Sequence, residues 1–224
     1  MKAAFIAILF LCGCSTITSG HQLDFSKAIE RVSPSVVTIL ITINGEPAGI
    51  GSGFAYRDSY IITNQHVVDG DKSVIEVEDH EGKKHKAAKV GENKDADIAV
   101  LKIDEQLKPV AIGKLSKLRP GQWVLAFGSP FGIGRTVSAG IISNTRRKLD
   151  ISKIPLIQSD AAVNHGNSGG PMANAAGEVI GVNAYMYSPN GGAVGISFSI
   201  PITEAQAAAD HIIMVSEKHV HPHP

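Results

Sequence analysis

The sequence predicts an antiparallel all-β fold, and three observations point there. Short Val/Ile-rich runs recur along the chain, as in Ser35-Val36-Val37-Thr38-Ile39-Leu40-Ile41-Thr42-Ile43 and Glu178-Val179-Ile180-Gly181-Val182-Asn183-Ala184. Gly, Asn, Asp and Pro break these runs at short intervals, and the 23 glycines supply turns between strands. Hydrophobic residues make up 43% of 224, which is enough to fill more than one small core.

The elements follow in order. Met1-Lys2 followed by Ala3-Ala4-Phe5-Ile6-Ala7-Ile8-Leu9-Phe10-Leu11 has the positive start and short apolar run of a secretory signal, too short for a membrane span. Leu11-Cys12-Gly13-Cys14 resembles a bacterial lipobox. Residues 1–13 then form the signal, Cys14 is the lipidated first residue, and 14–23 is a short tether to a membrane surface. An ordinary cleaved signal without lipid is the alternative. With both cysteines in this segment, thiol usage says nothing about redox compartment. A short helix is expected near Phe25–Arg31, capped by Asp24 and ended before Pro34, and a second near Thr203–Met214. The strand-rich region divides at Gly113–Gly121. The tail 215–224, with His219, His221 and His223 among prolines, is expected to be flexible. It is a weak chelator at most, and no structural metal site is spaced along the chain.

The residues that carry chemistry begin at Gly166-Asn167-Ser168-Gly169-Gly170-Pro171. A serine hydroxyl attacks a carbonyl only if a base takes its proton and N–H groups stabilise the oxyanion. Glycines on both sides of Ser168 allow a sharp turn that aims the N–H groups of Gly166 and Ser168 at one point, with Asn167 between them. The same residues satisfy G-x-S-x-G, the nucleophile elbow of α/β-hydrolases. That fold needs its acid and histidine after the serine, and only the adjacent Asp210 and His211 follow in plausible form. The order His66, Asp97, Ser168 instead suits a chymotrypsin-like arrangement. Of nine histidines, His66 ends the apolar run Tyr60-Ile61-Ile62-Thr63-Asn64-Gln65, whereas His80 and His85 lie in a charged, hairpin-like stretch. Asp95 and Asp97 would share one face of a strand. Asp97 opens the apolar run Ile98-Ala99-Val100-Leu101 and is therefore the acid that would orient the imidazole, while Asp95 remains in a solvated loop.

Thr63-Asn64-Gln65-His66-Val67-Val68, Asp97-Ile98-Ala99-Val100-Leu101 and Ser159-Asp160-Ala161-Ala162-Val163-Asn164-His165 through Pro171 closely resemble HtrA/Deg-type serine proteases. Gly51-Ser52-Gly53-Phe54, Gly128-Ser129-Pro130-Phe131-Gly132 and Phe198-Ser199-Ile200-Pro201 extend the resemblance over about Phe25–Ala209. It implies two six-stranded antiparallel β-barrels, at about 34–112 and 121–202 within a 24–214 protease domain, with the active site between them. It also implies a cofactor-free endopeptidase for unfolded or misfolded proteins in envelope quality control, often assembled as a homotrimer. A catalytically weak chaperone-like or peptide-binding domain, or an esterase with the same residues, are the rival readings.

The family usually carries PDZ domains after the protease, whereas only 23 residues follow Pro201 here, too few for another core. Where the family often reads Gly-Phe-Ala-Ile-Pro this chain reads Ser197-Phe198-Ser199-Ile200-Pro201, which alters one wall of the specificity pocket. With Ala162 and Val163 at its base and Ser197 on the opposite wall, the pocket is expected to take a small or medium aliphatic side chain. A cation there would lack a partner. Asp160 is expected to serve as a loop hydrogen-bonder. Balanced charge, 21 basic against 21 acidic residues, gives no electrostatic attraction for nucleic acid, and Arg146-Arg147-Lys148 reads as a solvated loop.

Overall fold

Twelve strands close into two six-stranded antiparallel barrels in the computed structural model, which describes residues 23–70, 73–129, 134–189 and 192–220. The signal, Cys14, most of the tether, Pro130–Gly132 and His221–Pro224 lie outside the described residues. The first barrel has β1 (Val36–Ile43), β2 (Glu46–Arg57), β3 (Tyr60–Thr63), β4 (Ser73–Glu78), β5 (Lys84–Asn93) and β6 (Ile98–Lys102) in the closed order β1-β2-β3-β6-β5-β4. The second has β7 (Trp123–Gly128), β8 (Thr136–Arg147), β9 (Leu156–Ser159), β10 (Pro171–Asn174), β11 (Val179–Met186) and β12 (Ser197–Pro201) in the order β10-β11-β12-β9-β8-β7. Closure leaves neither barrel a free sheet edge.

Side-chain alternation explains the cores. Val37, Ile39 and Ile41 point inward from β1 and meet Ala55, Ile61, Ala99 and Leu101 inside the first barrel. Val124, Ala126, Ile142, Ile157, Met172 and Ile180 fill the second. The seam between the barrels has a core of its own. There, Phe54, Ile62, Ile98 and Val100 from the first barrel pack with Val182, Phe198 and Ile200 from the second.

Helix α1 (Ser26–Val32) forms where the sequence predicts it, but its cap position is Phe25, without a side-chain cap; Asp24, one residue earlier, accepts the Ser26 N–H on Oδ1 at 2.9 Å. Helix α2 (Ile202–Val220) runs farther than the expected Thr203–Met214, so residues 215–220 are helical and not part of a loose tail. No helix-breaker occurs in Val215-Ser216-Glu217-Lys218. Ala205, Ala208, Ala209, Ile212 and Ile213 anchor the preceding turns in the seam core, and propagation from an anchored helix is easy. The connection between barrels includes a single 3-10 turn, Leu115–Lys117.

Candidate active site

The first barrel supplies a histidine and an acid. After β3 the chain passes through Asn64 into a 3-10 turn, Gln65–Val67, which lifts His66 out of the sheet to the barrel rim. Residues 94–97 form a turn, not the strand start that alternation suggested, and Asp97 closes it with φ 52°. Asp tolerates this left-handed conformation better than most non-glycine residues. The twist sends the two acids apart. Asp95 reaches outward to Lys153 Nζ at 2.6 Å, while Asp97 turns back toward His66.

Asp97 is tied down on both sides of its peptide. Its carbonyl accepts the Gln65 N–H at 3.2 Å and the Asn64 Nδ2 at 3.0 Å. Its carboxylate accepts the His66 backbone N–H at 3.1 Å and His66 Nδ1 at 3.0 and 2.9 Å. A carboxylate can only accept, so Nδ1 carries the proton and Nε2 is left with its lone pair. The acid side chain is only 10% exposed, against 44% for the histidine. This leaves a base facing solvent and a buried charge behind it.

The second barrel supplies the serine on the turn before β10. Gly166 and Gly169 have φ 98° and 86°. A Cβ at Gly169 would lie 2.2 Å from the Ser52 carbonyl and 2.3 Å from Thr63 Oγ1, so both conformation and space demand glycine there. The turn is gripped by the first barrel through Ser52. Its N–H donates to the Ser168 carbonyl at 2.9 Å, and its Oγ donates to the Gly166 carbonyl at 2.6 Å while accepting the Ser129 N–H at 2.9 Å. Ser52 belongs to the quoted Gly51-Ser52-Gly53-Phe54 motif, but no pattern in the sequence marks it as a partner of the serine turn.

Among the described residues, the N–H groups of Gly166 and Ser168 donate to no protein acceptor, while that of Asn167 donates to the Asn164 carbonyl at 3.0 Å. The two ungathered N–H groups can serve an oxyanion; the Asn167 N–H is already engaged. Ser168 Oγ donates to the Ala184 carbonyl at 3.3 Å and makes no hydrogen bond to His66. Such contacts are often loose without substrate. Ser168, Gly166 and His66 line one cavity of about 350 Å³ with Ile50, Val67 and His165. A cavity of about 640 Å³ between Lys114 and Trp123 contains none of these groups.

Residues 51–182, more than half of the chain, match the family described as trypsin-like peptidase domain. The chain belongs to that family. This trypsin-like peptidase domain is 46% identical over 171 residues to a probable periplasmic serine endoprotease DegP-like of Marinomonas sp. (strain MWYL1), covering 75% of this chain and 36% of that protein. It is 34% identical to another of the same description from Pseudomonas fulva (strain 12-X), covering 94% of this chain and 53% of that one. The chain thus spans about a third to a half of the length of these relatives. Among solved structures, the HtrA-type protease AlgW with tripeptide is similar at TM-score 0.79 and 36% identity, covering 85% of this chain and 64% of that one. The serine endoprotease from Yersinia pestis gives 0.74 and 34%, covering 85% and 67%.

The specificity residues named from sequence have distinct places in the trypsin-like domain. Val163 packs in the second barrel's core, Ala162 is exposed with its carbonyl accepting from Ser138 Oγ at 2.7 Å, and Ser197 is buried against Ser159, Oγ to Oγ 2.8 Å. Asp160 Oδ1 accepts the Ile141 N–H at 2.6 Å. Among the described residues no cluster of three or more His, Cys, Asp or Glu stands ready for a metal. One residue of the site escaped the sequence reading. Tyr185 Oη donates to Asp97 Oδ2 at 3.0 Å, and its ring stacks on His66 with centroids 6.1 Å apart.

Proposed function

We propose that this chain is a serine endopeptidase acting on unfolded or extended polypeptides in the bacterial envelope. The observation that carries the reading is the His66–Asp97 pair at 2.9 Å, facing the cavity that Ser168 and the free Gly166 N–H share. Ser168 Oγ attacks the scissile carbonyl and His66 Nε2 takes its proton. The N–H groups of Gly166 and Ser168 hold the oxyanion. As the tetrahedral intermediate collapses, His66 returns the proton to the leaving amine, and water repeats the sequence to release the acyl group. Asp97 stays ionised throughout and stabilises the imidazolium. An extended peptide is the proposed substrate because the site is an open cavity lined from both barrels, by Ile50, His66 and Val67 of the first and His165, Gly166 and Ser168 of the second.

The similarity to probable periplasmic serine endoproteases supports the envelope placement. A lipid on Cys14 would hold the domain near a membrane, and Cys14→Ser would then move the protein to the soluble fraction. A homotrimer is part of the same reading, and sedimentation measures it. The pocket residues proposed from sequence, Ala162, Val163 and Ser197, include no acid, although none of them is among the residues lining the cavity beside Ser168. Cleavage is therefore proposed after Val, Ala or Leu, and mass spectrometry of a digested unfolded protein should find few cuts after Lys or Arg. The deciding experiment is casein digestion with and without a serine-directed phosphonate, beside Ser168→Ala. Peptidase activity lost in both arms supports the reading. Binding of unfolded protein without cleavage or phosphonate labelling would favour the chaperone-like alternative.

A further inference from the structure

Strand β11 is interrupted where it passes the serine. Asn183 pairs with Ser199 and Tyr185 with Phe198, so two steps along β11 oppose one along β12, and Ala184 is the extra residue of a β-bulge. In an unbroken ladder Tyr185 would share the face of Asn183, whose amide is buried and donates to the Phe127 and Pro171 carbonyls. The bulge moves Tyr185 to the face of Phe198, which packs in the seam between barrels. From there its hydroxyl crosses to the first barrel and donates to Asp97 Oδ2 at 3.0 Å. The bulged residue itself offers the carbonyl that accepts Ser168 Oγ. A single irregularity thus touches both the nucleophile and the acid.

We propose that Tyr185 is a positioning residue of the triad: from the second barrel its hydroxyl fixes the Asp97 carboxylate, and through it the tautomer and orientation of His66. The inference rests on the peptidase reading. A carboxylate torsion is broad and two-fold, so bonds to one edge alone leave it free to rock. His66 gives Oδ1 a donor of its own, the backbone N–H, while Oδ2 receives from His66 only the Nδ1–H that both oxygens share at 3.0 and 2.9 Å. Tyr185 supplies the hold from across the seam. Burial and then the Asp97 charge push the phenol well above its ordinary value, so it stays a donor throughout the working pH range. A donor on Asp97 also draws charge from the carboxylate and so tempers its stabilisation of the imidazolium.

The groups that bear on His66 are few. Asp97 and Tyr185 touch it, and His165 lines the same cavity. Glu92, paired with Lys89 and 3.7 Å from Lys94 Nζ, reaches the neighbouring Gln65, and the exposed Asp95–Lys153 pair lies on the Asp97 turn. Tyr185→Phe keeps the stacked ring and removes only the hydroxyl. In the full chain we expect kcat on a peptide substrate to fall roughly tenfold, as for one hydrogen bond to a charged group, with KM within about twofold. The acid limb of kcat/KM should move up by about half a pH unit, because the unshared carboxylate charge favours imidazolium. The low-field proton resonance of His66 Nδ1–H should titrate with the same upward shift. Unchanged kcat together with an unmoved or lowered His66 titration would overturn the proposal while leaving the peptidase reading intact. If the wild-type chain neither cleaves peptides nor reacts with the phosphonate, the peptidase reading falls, and the resonance still decides whether Tyr185 governs His66.

Discussion

Among the described residues the first barrel holds two histidine–aspartate pairs, and they differ in what surrounds them. His66 meets Asp97 at 2.9 Å and His85 meets Asp79 at 2.7 Å, so distance does not separate them. The surroundings do. His85 and Asp79 are 8% and 7% exposed, and His85 bonds through Nε2. Asp79 Oδ1 also accepts the N–H groups of Glu81 and Lys83, closing the turn between β4 and β5. This pair is a buried turn clasp with nothing reactive facing solvent. His66 bonds through Nδ1, is 44% exposed, and presents its other nitrogen to the cavity beside Ser168. A histidine–aspartate contact is thus a base only when the free nitrogen has somewhere to deliver a proton.

The sharpest way to break this comparison is to remove one member of the site and one of the clasp. Ser168→Ala and His66→Ala are each expected to lower kcat/KM by about 10⁴–10⁶-fold, with the double variant little worse, because these residues act as a unit. Their melting temperatures should stay close to wild type. His85→Ala should do the reverse. It leaves a buried carboxylate short of a partner and is expected to cost about 2–4 kcal/mol of stability, with kcat per folded molecule within about twofold. Denaturant titration beside active-site labelling measures both. A His85 variant that loses activity without losing stability would erase the distinction. Asp97→Asn belongs with the first group, at roughly 10³–10⁴-fold in kcat, since an amide can donate to Nδ1 and favour the wrong tautomer.

Acid sharpens the contrast further. Burial alone would raise the Asp79 carboxyl, but the His85 hydrogen bond and the N–H groups of Lys83 and Glu81 outweigh it and hold it below its ordinary value of 3.8. A group with a lowered folded pKa contributes stability that is present above its unfolded value and is lost as pH falls through the folded one. The wild-type advantage over Asp79→Asn should therefore be full above pH about 4 and shrink below it. An advantage that persists unchanged in strong acid would show that the clasp acts through packing and not through charge.

Local chemistry marks some of this in the sequence and leaves other parts unmarked. Gly166-Asn167-Ser168-Gly169-Gly170 declares its turn because a Cβ at Gly169 has no room, and the Val/Ile runs declare strands because their alternate residues fill barrel interiors. Tyr185 is silent. Its face depends on the bulge at Ala184, and parity counted along β11 sends it to the wrong side. The separation of Asp95 from Asp97 is hidden for a related reason, since left-handed backbone at a non-glycine residue leaves no compositional trace. The end of α2 is illegible in the sequence because Ser216-Glu217-Lys218 reads like a polar tail. Irregularities of the backbone, not residue types, are what the sequence conceals here.

The smallest expected effect is also the most discriminating for the acid. Asp95 lies two residues from Asp97, and strand alternation would give both the same outlook. The turn instead leaves Asp95 in an exposed ion pair with Lys153. Exposed pairs of this kind contribute little because water screens them and two long side chains must be held in place. Asp95→Asn is therefore expected to change stability by less than about 0.5 kcal/mol and kcat/KM by less than about twofold. The Lys153 partner lies on the β8–β9 connection, so loss of the pair relaxes a contact between barrels without reaching His66. If Asp95→Asn were the inactive variant and Asp97→Asn the normal one, the strained turn would be mispositioning nothing, and the acid that orients His66 would have to be reassigned. Steady-state kinetics on the two variants side by side settles it.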